Sequence, residues 1–261
     1  VKEADELPRL PPSTGGLLGF AMRAWAANAP LYLALQLGVF AAYALAEWLV
    51  PAAAVSTPQG QFKVFVLIFT GIFADAFVVT AVAMGVAARG ADTHAPARAL
   101  VGVAIDRWLP VIAVNFLAQY LVFVTTGLSG LGPPAEPRAL QYAAAPIVWI
   151  FWGILGLAAP FVALGADRRP LAVIAGFSHA FSTSLRRGNL LRLCVLALVT
   201  VLPMVLQAVA YDALVAHHGP RPFFWANIPI DAITIGPVAA VQTAFALDFA
   251  RRAGDQRPSA P

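Results

Sequence analysis

Residues 141–166, QYAAAPIVWIFWGILGLAAPFVALGA, run for 26 positions without a charged side chain. At about 1.5 Å of rise per residue, a helix of that length crosses the roughly 30 Å hydrocarbon core of a bilayer. Five further apolar runs, near 30–50, 63–88, 108–130, 189–211 and 227–250, bring the expected spans to six. Pro30, the Pro51 to Gly60 stretch and Gly132-Pro133-Pro134 punctuate them where turns are needed. The whole chain agrees. Of 261 residues, 60% are hydrophobic and 11% charged, with mean hydropathy +0.76, against about 25% charged residues in soluble domains. That is more apolar material than one compact core can hide, so it must face lipid or other membrane helices.

The sequence thus predicts an all-α polytopic membrane protein. One six-span domain over 15–252 lies between an N-terminal tail, 1–14, and a C-terminal tail, 253–261. The start is acidic (Lys2, Glu3, Asp5, Glu6) and followed by Pro8, Pro11 and Pro12. It does not read as a signal peptide, whose apolar stretch follows a basic one. The single cysteine, Cys194, excludes disulfide frameworks and CxxC pairs within the chain.

Orientation follows from the basic residues. Lys2, Arg9, Arg23, Arg89, Arg98, Arg107, Arg168, Arg169, Arg186, Arg187, Arg192, Arg251, Arg252 and Arg257 fall on one side; Lys63, Arg138 and Arg221 fall on the other. By the positive-inside rule both termini are cytoplasmic. The net charge of +4 then reads as topology, with anionic phospholipid headgroups as the expected partners and no nucleic acid. Trp48, Trp108, Tyr142 and Trp225 near span ends fit interfacial anchoring.

The even spans end alike: Gly90-Ala91-Asp92 before Pro96, Gly165-Ala166-Asp167 before Pro170, Gly254-Asp255 before Pro258. Each such segment can stop one helix and start another. Short amphipathic stretches follow. In 171–187, Ile174, Phe177, Phe181 and Leu185 recur by three or four, with His179, Ser182 and Arg186 opposite, and Gly188-Asn189 ends that helix and opens the fifth span. Residues 96–107 (Leu100, Val101, Ala104) and 15–28 (Leu18, Ala21, Met22, Trp25) read similarly. The expectation is three interfacial amphipathic helices and a threefold parallel repeat of about 15–90, 96–166 and 171–252.

Residues 180–196, AFSTSLRRGNLLRLCVL, look like a segment of YciC-type bacterial inner-membrane proteins and of the membrane domain fused to some glycerophosphoryl diester phosphodiesterases. Ala21 to Trp25 and Trp152 to Pro160 are similar to the same family. In the fused relatives hydrolysis belongs to a separate barrel, which has no counterpart here. The resemblance implies a bacterial inner-membrane location and a role near phospholipid or envelope homeostasis.

Asp75, near the middle of the second span, is the most costly residue for a membrane helix, at about 2.5–3.5 kcal/mol on insertion scales. It reads either as a proton or cation site or as a carboxyl that packs helices. Asn115 and Gln119, four apart, share a face of the third span and can join Gln207 in a polar network. Asp231 reads as polar lining with Thr234 and Gln242, or as the cap of the sixth span beside Pro229. Glu47 and Lys63 flank the first outer loop, where a pairing is worth little. His217-His218 lacks the further ligands of a metal site, so no metal or cofactor is expected. Pro160, Pro203 and Pro237 lie inside spans and can kink them. HExxH, GxSxG and GxxxxGK[ST] do not occur, and no catalytic residues assemble.

Two functions remain open on these residues. One is a non-enzymatic inner-membrane protein binding anionic lipid, a membrane-protein partner or further copies of itself, through Arg168, Arg169, Arg186 and Arg187. The other is a small transporter or channel built around Asp75 with Asn115, Gln119, Gln207 and Asp231.

Overall fold

The computed structural model describes residues 10–49, 57–129, 138–165, 172–218 and 221–255. Among them regular structure is helical, with no strand. The order is α1 (Thr14–Ala26), α2 (Ala29–Leu49), α3 (Pro58–Gly90), α4 (Ala97–Thr125), a 3-10 turn (Thr126–Leu128), α5 (Arg138–Leu164), α6 (Ala172–Ser184), α7 (Leu190–His218) and α8 (Arg221–Asp255). Four segments are long and apolar enough to cross a membrane: Ala97–Leu128, Gln141–Leu164, Leu190–Ala210 and Ile233–Gly254.

Local chemistry sets the helix ends. Ser13 and Thr57 cap α1 and α3, each hydroxyl accepting from the amide three residues on at 3.1 Å. The expected Asp92 boundary ends α3 in a different way. Asp92 adopts φ +53°, and the Thr93 amide returns to the Ala88 carbonyl at 2.9 Å, closing the C-terminus; Pro96 then starts α4 with no side-chain cap. Gly188, at φ +88°, is the left-handed residue after α6. Asn189 precedes α7 as expected, but its side-chain amide donates back to the Thr183 carbonyl at 3.1 Å.

Three expectations are corrected. Residues 96–107 form no separate short helix: they are the first turns of α4, which passes through Trp108 and Pro110 unbroken. No glycine lies between Ala104 and Pro110, and Asp106 alone does not stop the helix there. The short-long-long pattern is therefore seen in the first and last thirds only. Second, α8 begins at Arg221, with Pro222 in its first turn, which makes Asp231 interior and not a cap. Third, the apolar stripes of the short helices turn inward only in part. Phe177 and Phe181 of α6 pack against the core, Phe181 against Phe151 of α5, while Ile174 and, just after α6, Leu185 are exposed. Ala172, Gly176, Ala180, Thr183 and Ser184 are buried. A Cβ on Gly176 would meet Val162 Cγ2 at 2.5 Å and the Ala158 carbonyl at 3.1 Å, so α6 rests closely on α5 at that point. α1 likewise buries Leu17, Phe20, Ala21 and Ala24 and exposes Met22.

α5 and α8 are the inner helices, 61% buried over their spanning windows, against 17% for α4 and 22% for α7. α3 packs on α2, α4, α5 and α8; α7 packs on α5 and α8. Small residues bring the backbones together. A Cβ on Gly153 of α5 would lie 3.2 Å from Ala197 Cα and N of α7, and Ala239, Ala240, Ala244 and Ala246 of α8 are all buried. Trp152, Phe245, Phe249, Leu155 and Leu157 fill the space between. Leu191, Leu198, Leu202, Leu206 and Val209 form an exposed apolar ridge along α7, as lipid contact requires.

Candidate functional site

A cavity of about 310 Å³ lies between α3, α4, α5, α7 and α8. α3 contributes Asp75, α4 Asn115 and Gln119, and α7 Gln207, so four residues read from three separate spans share one space. Thr200 of α7 and Gln242 of α8 join them. Asp75 is 17 residues from the start of α3 and 15 from its end, about 25 and 22 Å at helical rise, which puts it near mid-helix. Val79, Val122, Leu155, Ile235, Val238 and Met204 supply the apolar wall.

The polar side chains are positioned by helix geometry. Asn115 and Gln119 project from α4 one turn apart. Gln242 crosses the bundle at the cavity's edge: its carboxamide lies directly over Gly156 of α5, in the space a Cβ would fill, and Nε2 donates to Thr200 Oγ1 at 3.3 Å. Pro160 is one turn beyond Gly156 in α5, Pro203 lies three residues after Thr200 in α7, and Pro237 five before Gln242 in α8. Trp152 lines the cavity, while its Nε1 donates to Thr125 Oγ1 at 2.8 Å. Thr125 does not line the space, so the indole meets the cavity through its hydrocarbon surface. Among the described residues the lining holds one carboxyl and no Lys, Arg or His.

The other predicted sites fare differently. The side chains of Asp231, Glu47, Lys63, His217 and His218 fall outside the described residues, as do Arg168 and Arg169 altogether. Arg186 is half-buried and donates to the Ala253 carbonyl at 3.1 Å, so it braces the end of α8, whereas Arg187 is exposed. Of the four arginines only Arg186 and Arg187 are among the described residues. A different basic cluster is described in full. Asp248, fully buried, accepts Arg251 Nη2 at 2.8 Å and Arg252 Nε at 2.9 Å and faces Arg192 Nε at 3.1 Å. Arg251 also donates to the Leu10 carbonyl at 3.1 Å, and Arg192 to that of Pro12. An Asp three and four residues before two arginines was visible in the sequence as a helix-face pair; Arg192, from another helix, was not.

A further polar group lies on the other side of α8. Gln36 and the Trp25 indole nitrogen are buried without a hydrogen-bond partner among the described residues, and both come within 3.4 Å of where a Cβ on Gly236 would sit. Among the described residues no group of three or more His, Cys, Asp or Glu is placed to hold a metal ion.

Comparison with family models, with curated proteins and with solved structures finds no match to the chain.

Proposed function

We propose that the protein is a non-enzymatic, six-span protein of a bacterial inner membrane, with both termini cytoplasmic, that admits a small polar solute to its central cavity as a transporter or channel. α2 and α3, at 21 and 33 residues, are the two spans added to the four named above. The supporting observation is the convergence of Asp75, Asn115, Gln119 and Gln207 with Thr200 and Gln242 on one 310 Å³ space. Some of these side chains pair between neighbouring helices, as Gln242 does with Thr200, and the five helices still leave room between them for a guest. The volume is at the lower end of ligand sites, which span about 300–1,000 Å³.

The test is solute flux into proteoliposomes. Protein-containing vesicles are expected to take up small polar solutes faster than empty ones, and Ala118→Trp, which fills the cavity from the outer helix α4, is expected to slow them. Equal rates for protein-containing and empty vesicles would overturn the reading.

A second reading, contact with anionic phospholipid at the basic end, is favoured by the three arginines that surround the single Asp248 and by exposed Arg187. Native mass spectrometry from native-membrane nanodiscs tests it: retained anionic lipid that is lost when Arg168, Arg169, Arg186 and Arg187 are all changed to Gln supports it, and unchanged retention removes it.

A further inference from the structure

The cavity's chemistry goes beyond "polar". Among the described residues its one ionisable group is the Asp75 carboxyl, and the remaining polar side-chain atoms turned to it belong to carboxamides and a hydroxyl, which can turn oxygen toward a guest. An anion would meet a carboxyl and no cation. A bare metal ion would need about six or more oxygens at roughly 2.3–2.6 Å, and it would leave the wall of Val79, Val122, Ile235, Val238 and Met204 without a use. A space of about 310 Å³ is also far larger than one ion; at a water's share of about 30 Å³ it equals some ten waters. The Trp152 indole, its N–H already given to Thr125, adds an aromatic surface of the kind that attracts cations.

We infer that the guest is a small organic monocation, an ammonium head on a short apolar body, with the head at Asp75 and its neighbouring carboxamides and the body against the aliphatic wall and Trp152. This rests on the solute-admitting reading above. Within the membrane a bare ammonium is costly, and a carboxylate beside it offsets part of that cost.

The test uses three compounds of one shape and different charge, n-butylammonium, n-butanol and n-butyrate, titrated calorimetrically into the protein in nanodiscs. Wild type is expected to bind n-butylammonium saturably and the other two not. Asp75→Asn, nearly isosteric, is expected to weaken binding by about 10- to 100-fold, the worth of a charged hydrogen bond. Gel filtration and unfolding profiles show whether the variant is folded; if it is not, Gln207→Leu, expected to weaken binding by about tenfold, takes its place. Butanol bound as well as butylammonium, or butylammonium binding unchanged in the variants, overturns the monocation while leaving the cavity reading intact. No binding by any compound, with flux that still responds to Ala118→Trp, likewise removes only the monocation. No binding together with no flux removes both.

Discussion

Asp248 has no exposed surface and lies within 3.1 Å of three guanidinium groups from two helices. Removing its charge leaves those cations crowded without an anion. Asp248→Asn is therefore expected to destabilise the fold by about 3–5 kcal/mol, measured by denaturant titration in micelles. Arg252→Gln, at a side chain 32% exposed, is expected to cost no more than about 1 kcal/mol. Glycines divide in the same way. Gly153 meets the backbone of Ala197 at 3.2 Å, whereas nothing approaches Gly102 on α4. Gly153→Val should cost about 1–3 kcal/mol by forcing α5 and α7 apart, and Gly102→Ala should stabilise by about 0.5–1 kcal/mol by favouring the helix. Reversed signs in the same titration would refute the packing described. Single residues were also where the sequence said least about the site. Asp75 announced itself because a carboxyl in a span is costly, and Asn115 and Gln119 by their spacing. Thr200 gave no sign, since membrane-helix threonines commonly bond their own backbone, as Thr80 and Thr243 do to carbonyls four residues back at 2.7 Å.

At the level of helices, apolar runs located the elements because backbone groups in lipid must be satisfied within a helix. Faces were harder to read. The large residues Ile174 and Leu185 belong to the same apolar stripe as Phe177 and Phe181, yet they are exposed while the two phenylalanines pack inward. Hydrophobicity says which residues leave water, and in a membrane lipid receives them as readily as protein does. The same logic makes α7 testable. Leu202 is on its exposed ridge, so Leu202→Arg is expected to lower insertion by about 2.5–3.5 kcal/mol at mid-span, read from a glycosylation-based insertion assay. Leu185→Arg, beyond the end of α6, is expected to insert like wild type. Pro203 of α7 lines the cavity, with Pro160 of α5 and Pro237 of α8 within two turns of its lining residues, and a proline inside a helix favours a bend there. Gly156→Ala would push the Gln242 carboxamide off its seat and away from Thr200; the expected result is altered flux with stability changed by no more than about 1.5 kcal/mol, one neutral hydrogen bond.

For the molecule as a whole, six spans require both ends of the chain on one side. Reporter fusions at the two termini are expected to give the same, cytoplasmic, signal; opposite signals would leave an odd number of spans. The expectation comes from charge asymmetry, which is summed over the chain and tolerates errors at any one boundary. What brings distant helices together was not legible: Arg192 and Asp248 are 56 residues apart, and the carbonyls of Leu10 and Pro12 are farther still from Arg251 and Arg252. That stitch bears on how the protein is made. α1 packs chiefly on α8, the last described helix to leave the ribosome, and the arginines that hold the residues just before α1 are on α7 and α8. Until α8 has been made, α1 waits at the membrane without the helix it packs on most. Its docking is completed late, and a chain cut short before α8 would present an undocked α1 as the mark of an unfinished product.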